Sequence, residues 1–256
     1  MSQPDDKPKL IEIADGLYVR QEIDNIGWAD MGDGLLVVDA LEHAELEEEV
    51  FDMMERTVPR KKVKTVLNTH THYDHVALNR IFEKKHGADI VNHDTRSIPE
   101  DGLTFQGGDR TCRFIPLPGG HTDKDCIAWF PEDNALFVGD LFGWGLITCM
   151  TSAMPEVMAG LESLYNRMID FEAATVIPGH GPLCTTEHLV RCREYHDWLA
   201  DTVYAGVEDG KSIADLKSEI KVPDDMQDWW RLVEWKHEQN ISKLVKGARK
   251  GRRSME

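Results

Sequence analysis

Residues 63–75 read Val63-Lys64-Thr65-Val66-Leu67-Asn68-Thr69-His70-Thr71-His72-Tyr73-Asp74-His75, an apolar run that ends in a dense set of side chains able to ligate a metal. The short run Val63 to Leu67 has the character of a buried strand. A helical pattern follows from Val76 to His86, with Val76, Leu78, Ile81 and Phe82 apolar. The stretch is thus predicted to be a strand, a turn and a helix, and the turn is where α/β proteins usually carry their sites. In extended backbone, residues two apart point the same way, so His70 and His72 can face one ion from one side. Asp74 and His75 lie past the turn and can reach a second. Imidazole suits zinc and iron, and a carboxylate widens the choice to manganese. A lone histidine would read as a surface or satisfied core residue. Three histidines and an aspartate within six residues on one turn read as a metal site.

Composition narrows the remaining classes. The chain has 256 residues, 41% of them apolar, which is enough for a large core. A formal charge of −17 disfavours a polyanionic ligand and so argues against nucleic acid. The five cysteines (Cys112, Cys126, Cys149, Cys184 and Cys192) are scattered and form no C-x-x-C pair. They read as reduced, packed thiols of a cytoplasmic protein. The opening residues lack a basic segment followed by an apolar one, so no signal peptide is expected. No apolar run approaches the length of a membrane span, and no membrane partner is expected.

The other motifs follow in order along the chain. Strands are expected at Leu10–Ile13 and Leu17–Val19. A loop then covers Asp24 to Trp28, and a Gly/Asp turn at 32–34 leads into the strand Leu35–Val38, which ends at Asp39. An amphipathic helix covers 44–57, with its run of glutamates facing water. His93 follows another strand, and its neutral reading as a loop histidine outweighs a place in the site. Pro118-Gly119-Gly120-His121 lets the backbone turn tightly and aim an imidazole inward. Strands at 126–130 and 135–138 lead to Gly139-Asp140. After a helix at 155–169, the strand 175–177 ends in Pro178-Gly179-His180-Gly181-Pro182. Residues 186–246 read as three helices, 186–206, 212–220 and 224–246. This part contains Trp198, Trp229, Trp230 and Trp235, which are expected to pack on the core or a partner chain. The tail from Lys246 is basic and is expected to be frayed.

His70-x-His72-x-Asp74-His75, followed in order by His121, Asp140 and His180, resembles the metallo-β-lactamase-fold superfamily over roughly residues 10–185. The alternation of strands and helices by itself implies only an α/β fold. The resemblance implies a four-layer αβ/βα sandwich, here with a C-terminal helical extension. The expected division is a catalytic core at 1–185 and a helical extension at 186–256 packed on the core, whose further role as a lid or a subunit interface stays open, with a homo-oligomer as one option. Carried over residue by residue, the ligands of one ion are His70, His72 and His121, those of the other are Asp74, His75 and His180, and Asp140 bridges them.

Three histidines would leave zinc an open position, and two close ions would share a water as hydroxide. Asp74 has a further expected role as the catalytic proton acceptor. The implied activity is that of a binuclear metallo-hydrolase of a small ester, thioester, lactone or amide. Its ions are two divalent ions, zinc first, with iron or manganese as alternatives. The bridging Asp140 resembles the glyoxalase II, lactonase and phosphodiesterase branches rather than the β-lactamases. The competing class is a non-haem iron redox protein on the same fold, a persulfide dioxygenase or an oxygen-binding di-iron protein. The sequence departs from the family where a small residue and glycine usually follow Asp39, because here Ala40-Leu41 stand. By position alone, Trp28, Leu41, Phe142, Trp144 and Met150 are candidates for the walls of the substrate pocket.

Overall fold

The computed structural model describes residues 7–143, 155–227 and 233–253, and its layering can be read from strand alternation. In β4 (Leu35–Val38), Leu35 and Val37 enter one apolar cluster while Leu36 and Val38 enter another. A strand that is apolar on both faces must lie in an interior layer. The same holds for β10 (Ala135–Gly139): Leu136 and Val138 point one way, Ala135 and Phe137 the other.

The first sheet has the spatial order β1 (Lys9–Ala14), β2 (Leu17–Gln21), β3 (Ile26–Asp30), β4, β5 (Val63–Leu67), β6 (Asp89–Val91). Its first four strands form an antiparallel meander, and β4, β5 and β6 pair in parallel. The second sheet has the order β11 (Thr175–Pro178), β10, β9 (Cys126–Phe130), β8 (Arg110–Pro116), β7 (Leu103–Gly107), with only β10 and β11 parallel. Leu17, Val19, Leu67, Phe114, Phe130 and Phe137 fill the space between the sheets. On the outer face of the first sheet lie α1 (Glu47–Thr57) and α2 (Asn79–His86), with Val50, Met54 and Phe82 buried. On the outer face of the second lie α3 (Pro155–Ile169), α4 (Thr186–Glu208) and α6 (Val233–Arg253), which contribute Tyr165, Tyr195, Leu199, Ile241 and Leu244. The result is the four-layer αβ/βα sandwich.

Strand β3 falls where a loop is expected from the sequence. Ile26-Gly27-Trp28-Ala29 lacks clean alternation, and its glycine weakens any strand signal. The structure explains the glycine: a Cβ at Gly27 would stand 2.3 Å from Cε1 of Phe137 on the facing sheet. Gly27 lets an aromatic ring from the second sheet press against the backbone of the first.

The C-terminal helices also differ in detail from expectation. A short α5 (Ile213–Glu219) is closed at its start by Ser212 and Asp215, whose side chain and backbone groups bond reciprocally. The expected helix 224–246 is instead a 3-10 turn at Asp224–Met226, followed by α6 from Val233. The expected frayed tail is helical through Arg253. Trp229, Trp230, Trp144 and Met150 lie outside the described residues. Trp198 and Trp235 are 40% and 54% exposed; Trp198 lies at the rim against the rings of Tyr195 and His237, while aliphatic residues of α4 and α6 and tyrosines of α4 make the buried packing.

His196 on α4 is a buried exception within that packing. It is 2% exposed, flanked by the rings of Tyr165 and Tyr195 at 5.7 and 5.3 Å, and neither ring nitrogen has a hydrogen-bond partner. Burial pushes its pKa down from 6.5 to about 4. The folded value lies below the unfolded one, so between these two values the unfolded chain binds the extra proton and the fold loses stability as pH falls. The full effect is about 3 kcal/mol, at about 1.4 kcal/mol per unit. His196→Phe should therefore remove this loss: urea melts at pH 7.5 and pH 4.5 should separate the two proteins by roughly that amount at the lower pH only. An unchanged pH dependence in the variant would show that His196 is not neutral when folded.

Candidate metal centre

Thr69 sits where the two sheets meet. Its amide and hydroxyl both donate to Asp39 at the end of β4, at 2.8 and 2.9 Å, and its carbonyl accepts the amide of Cys126 at the start of β9 at 2.7 Å. On the other side, Gly139 takes φ 52, and a Cβ there would lie 2.4 Å from Thr69 Oγ1. The strand ends that carry His70 and Asp140 are thereby drawn together. Beneath the turn, a buried amide network holds its backbone: Asn68 Nδ2 donates to the His75 carbonyl at 2.8 Å, and Asn79 and Asn92 both donate to Asn68 Oδ1.

All seven residues singled out as ligands converge at this seam in two adjoining groups. His70, His72 and His121 form one, and Asp74, His75, Asp140 and His180 the other, with the donor atoms of each group within 4.8 Å of one another. Asp140 touches both. Its Oδ1 lies 3.3 Å from His75 Nε2 and 3.2 Å from His180 Nε2, while its Oδ2 lies 3.5 Å from His121 Nε2. His93 is in neither group.

Several of these atoms are buried without a hydrogen bond of good geometry: His70 Nε2, Asp74 Oδ1, His75 Nε2 and Asp140 Oδ1, the last two having only their ion-pair contacts at 3.2–3.3 Å. Each such orphan costs about 1–3 kcal/mol. Once the His75 ring gives up its proton, these four atoms aimed at one space fit one or two cations, which would satisfy them all at once.

The electrostatics differ between the groups. Burial, with His75 adding to it, holds His70 at about 3, and burial also lowers His121, so both rings are neutral and offer lone pairs. Burial opposes charge on His75 as well, but Asp39 and Asp140 on its two sides overcome it and raise the ring to about 10. Burial is likewise outweighed at His180, where Asp140, Asp24 and Asp74 raise the pKa to about 12. Burial favours the protonated form of Asp140, yet His75 and His180 hold it well below the usual carboxylate range. Asp74 is also lowered, with His180 outweighing burial. The second group thus balances its two carboxylates with ring protons at the place where a cation would balance them.

Other residues around the centre have no obvious signal in the sequence. Asp39 is visible there only as a strand terminator, but it faces His75 Nδ1 at 3.1 Å and caps Thr69. Asp125 is 3% exposed and anchors the His121 loop by accepting from the amides of His121 and Thr122 at 2.9 and 2.8 Å. Gly179 is a readable case: a Cβ there would lie 2.3 Å from Asp140 Oδ1, so glycine beside His180 leaves room for the site. Three of the expected pocket walls are not walls. Trp28, Leu41 and Phe142 have no exposed surface, Trp28 donates to Thr57 Oγ1 at 2.9 Å, and all three belong to the apolar layers.

Residues 23–99 match the family model described as the metallo-beta-lactamase superfamily. That match covers 77 of the 256 residues, and the four-layer sandwich around it is the metallo-β-lactamase fold. Among curated relatives, a hydroxyacylglutathione hydrolase from Methylococcus capsulatus is 35% identical over 108 residues, covering 39% of this chain and 42% of that protein. Its counterpart from Rhodospirillum rubrum is 38% identical over 89 residues, 31% of this chain and 34% of that one. The matched part therefore spans less than half the length of these relatives. Among solved structures, the sec-alkylsulfatase Pisa1 from Pseudomonas sp. superposes with a TM-score of 0.71 over 93% of this chain and 50% of its own, at 13% identity. A metallo-beta-lactamase from Pontibacter korlensis superposes with a TM-score of 0.59 over 75% of this chain and 99% of its own, at 16% identity. Both likenesses concern the fold.

The Ala40-Leu41 departure has a backbone consequence. Leu41 takes φ 56, the left-handed region that glycine enters freely, and Asp39 takes φ 62. That conformation costs a residue with a Cβ about 1–2 kcal/mol. Leu41 is nonetheless fully buried among Ile26, Trp28 and Leu78, and removing such a side chain costs about 2–5 kcal/mol. Burial therefore outweighs the strain. Leu41→Gly should lower stability by about 1–4 kcal/mol in a urea melt, even though it restores the residue the family usually carries. A gain in stability would show that strain dominates there.

Proposed function

We propose that the protein is a binuclear metal-dependent hydrolase acting on a small ester or thioester. The observation that carries this reading is Asp140, whose two oxygens face the two groups of donor atoms. In this assignment His70, His72 and His121 hold one ion, Asp74, His75 and His180 hold the other, and Asp140 is shared. Zinc is the first choice because five of the seven donors are imidazoles. Two such ions, when bound, lower the pKa of water enough to supply hydroxide near neutral pH and polarise a carbonyl oxygen.

The chain's own part is positional and electrostatic. Asp74 Oδ1 is buried without a hydrogen-bond partner, and its carboxyl is held in the charged form, so it is the oxygen able to accept a proton from water. His72 lies on the open side of the site, where a substrate would enter. The centre carries only two carboxylates against two divalent ions, and the surplus of positive charge suits a substrate that develops an oxyanion. The curated relatives are named for hydroxyacylglutathione, a thioester of the glutathione thiol, and this supports thioesters as the first class to try.

Metal analysis of protein purified without added metal, followed by a panel of thioesters, esters, lactones, phosphodiesters and a cephalosporin, tests the proposal. About two ions per chain and turnover of a thioester or ester are expected. Iron with strong visible absorption and no hydrolysis would favour the redox alternative. Asp140→Ala should reduce the content to one ion or fewer and slow turnover by at least about 100-fold. Retention of both ions at full rate by that variant would remove Asp140 from the centre.

A further inference from the structure

The segment Gln21–Asn25, between β2 and β3 of the first sheet, grips the loop that carries His180 on the second. Leu183 N donates to Gln21 Oε1 at 3.0 Å, and Gly181 N to the Ile23 carbonyl at 3.2 Å. Asn25 N donates to the Gly179 carbonyl at 2.8 Å, and Asn25 Nδ2 donates to the carbonyls of Pro178 and Gly181, both at 2.8 Å. Asn25 is 4% exposed, and Asp24 and His180 form an isolated antiparallel bridge. Within this clamp, His180 Nδ1 lies 2.9 Å from Asp24 Oδ1 and 3.1 Å from the Ile23 carbonyl. Its Nε2 faces Asp74 and Asp140.

We infer that Asp24, presented by this clamp, is the positioning residue of His180: it keeps the proton on Nδ1 and so presents Nε2 as a bare lone pair to a metal ion. Both ring nitrogens face acceptors, so once an ion takes Nε2 the one remaining proton lies on Nδ1, between Asp24 and the Ile23 carbonyl. A carboxylate behind a ligating imidazole fixes the orientation of the ring and makes it a stronger donor. The inference deepens the metal-centre reading above and rests on it. Asp24 touches neither substrate nor reacting atoms in this assignment, so it acts only through His180. The nearby carbonyl of Ile23 fixes the tautomer as well, but it lacks the charge that strengthens the ligand.

The test is zinc affinity, measured by competition with a chromophoric chelator, on wild type, Asp24→Asn and Asp24→Ala, with melting of the metal-free proteins alongside. The wild type should hold two ions. Each variant should bind one ion about 10–100-fold more weakly and the other unchanged. A role confined to folding would shift the metal-free melt and leave the ratio of the two affinities as in wild type, and that result would overturn the inference. Two ions bound as tightly as in wild type would also overturn it. Failure of the wild type to bind two ions would instead bring down the parent reading, and this inference with it. Should both variants fail to fold, the ¹⁵N shifts of His180 in the zinc-loaded wild type decide. A proton on Nδ1 with an unprotonated, metal-shifted Nε2 supports the inference, and a proton on Nε2 refutes it.

Discussion

The approach of Gly139 to Thr69 is the contact on which the centre depends. Gly139 ends β10 of the second sheet, Thr69 lies two residues past β5 of the first, and no Cβ fits between them. Each is followed directly by a residue of the centre, Asp140 and His70. Thr69 is itself tied to the end of β4 through Asp39 and to the start of β9 through its carbonyl. The site is therefore set by how the sheets are stacked. Sliding one sheet along the other by one residue would part the two groups of donors. The ring of Phe137 against Gly27 acts in the same direction from within the sandwich.

Burying so many polar groups at one seam is costly, and the surroundings show how the cost is met. The backbone of the turn is held by the amides of Asn68, Asn79 and Asn92, and the His121 loop by Asp125. Within the centre, what stays unmet faces its interior, apart from His75 Nδ1, which faces Asp39 at 3.1 Å. Outside it, His196 is the one other residue with buried side-chain atoms left unpartnered among the described residues, and it lies in the helical layer. Such concentration of unpaired atoms is what a binding site looks like before its ligand is considered, because a merely structural polar cluster satisfies itself.

The seven residues that converge at the seam are legible in the sequence because each follows a strand and a tight turn and is of a type able to ligate a metal. The four layers come from the family resemblance; the alternation of β4 and β10 agrees with them but cannot order the strands. What is not legible depends on distance through space. Asp24 and Asn25 read as an unremarkable polar loop, since the carbonyls that Asn25 holds lie 153 and 156 positions away. Strand β3 is hidden because its glycine answers to Phe137 on the other sheet. Trp28, Leu41 and Phe142 sit next to motif ends along the chain yet point into apolar layers, so nearness in sequence is a poor guide to the walls of a pocket. The exposed Trp198 and Trp235 make the same point in reverse: large apolar side chains on an amphipathic helix do not all face the core.

The clamp between residues 21–25 and 178–183 also bears on the order in which the chain assembles. Most strand pairs join neighbours in sequence, so each sheet can form with its own helices from local contacts. The bonds of Asn25 span 153 and 156 residues and gain nothing until both sheets are docked. Closing so long a loop costs entropy before any of these bonds is made. The clamp consequently belongs to the late side of the folding barrier. Its hydrogen bonds govern how slowly the assembled protein comes apart rather than how quickly it forms. His180, the last of the seven along the chain, is held by these long-range bonds.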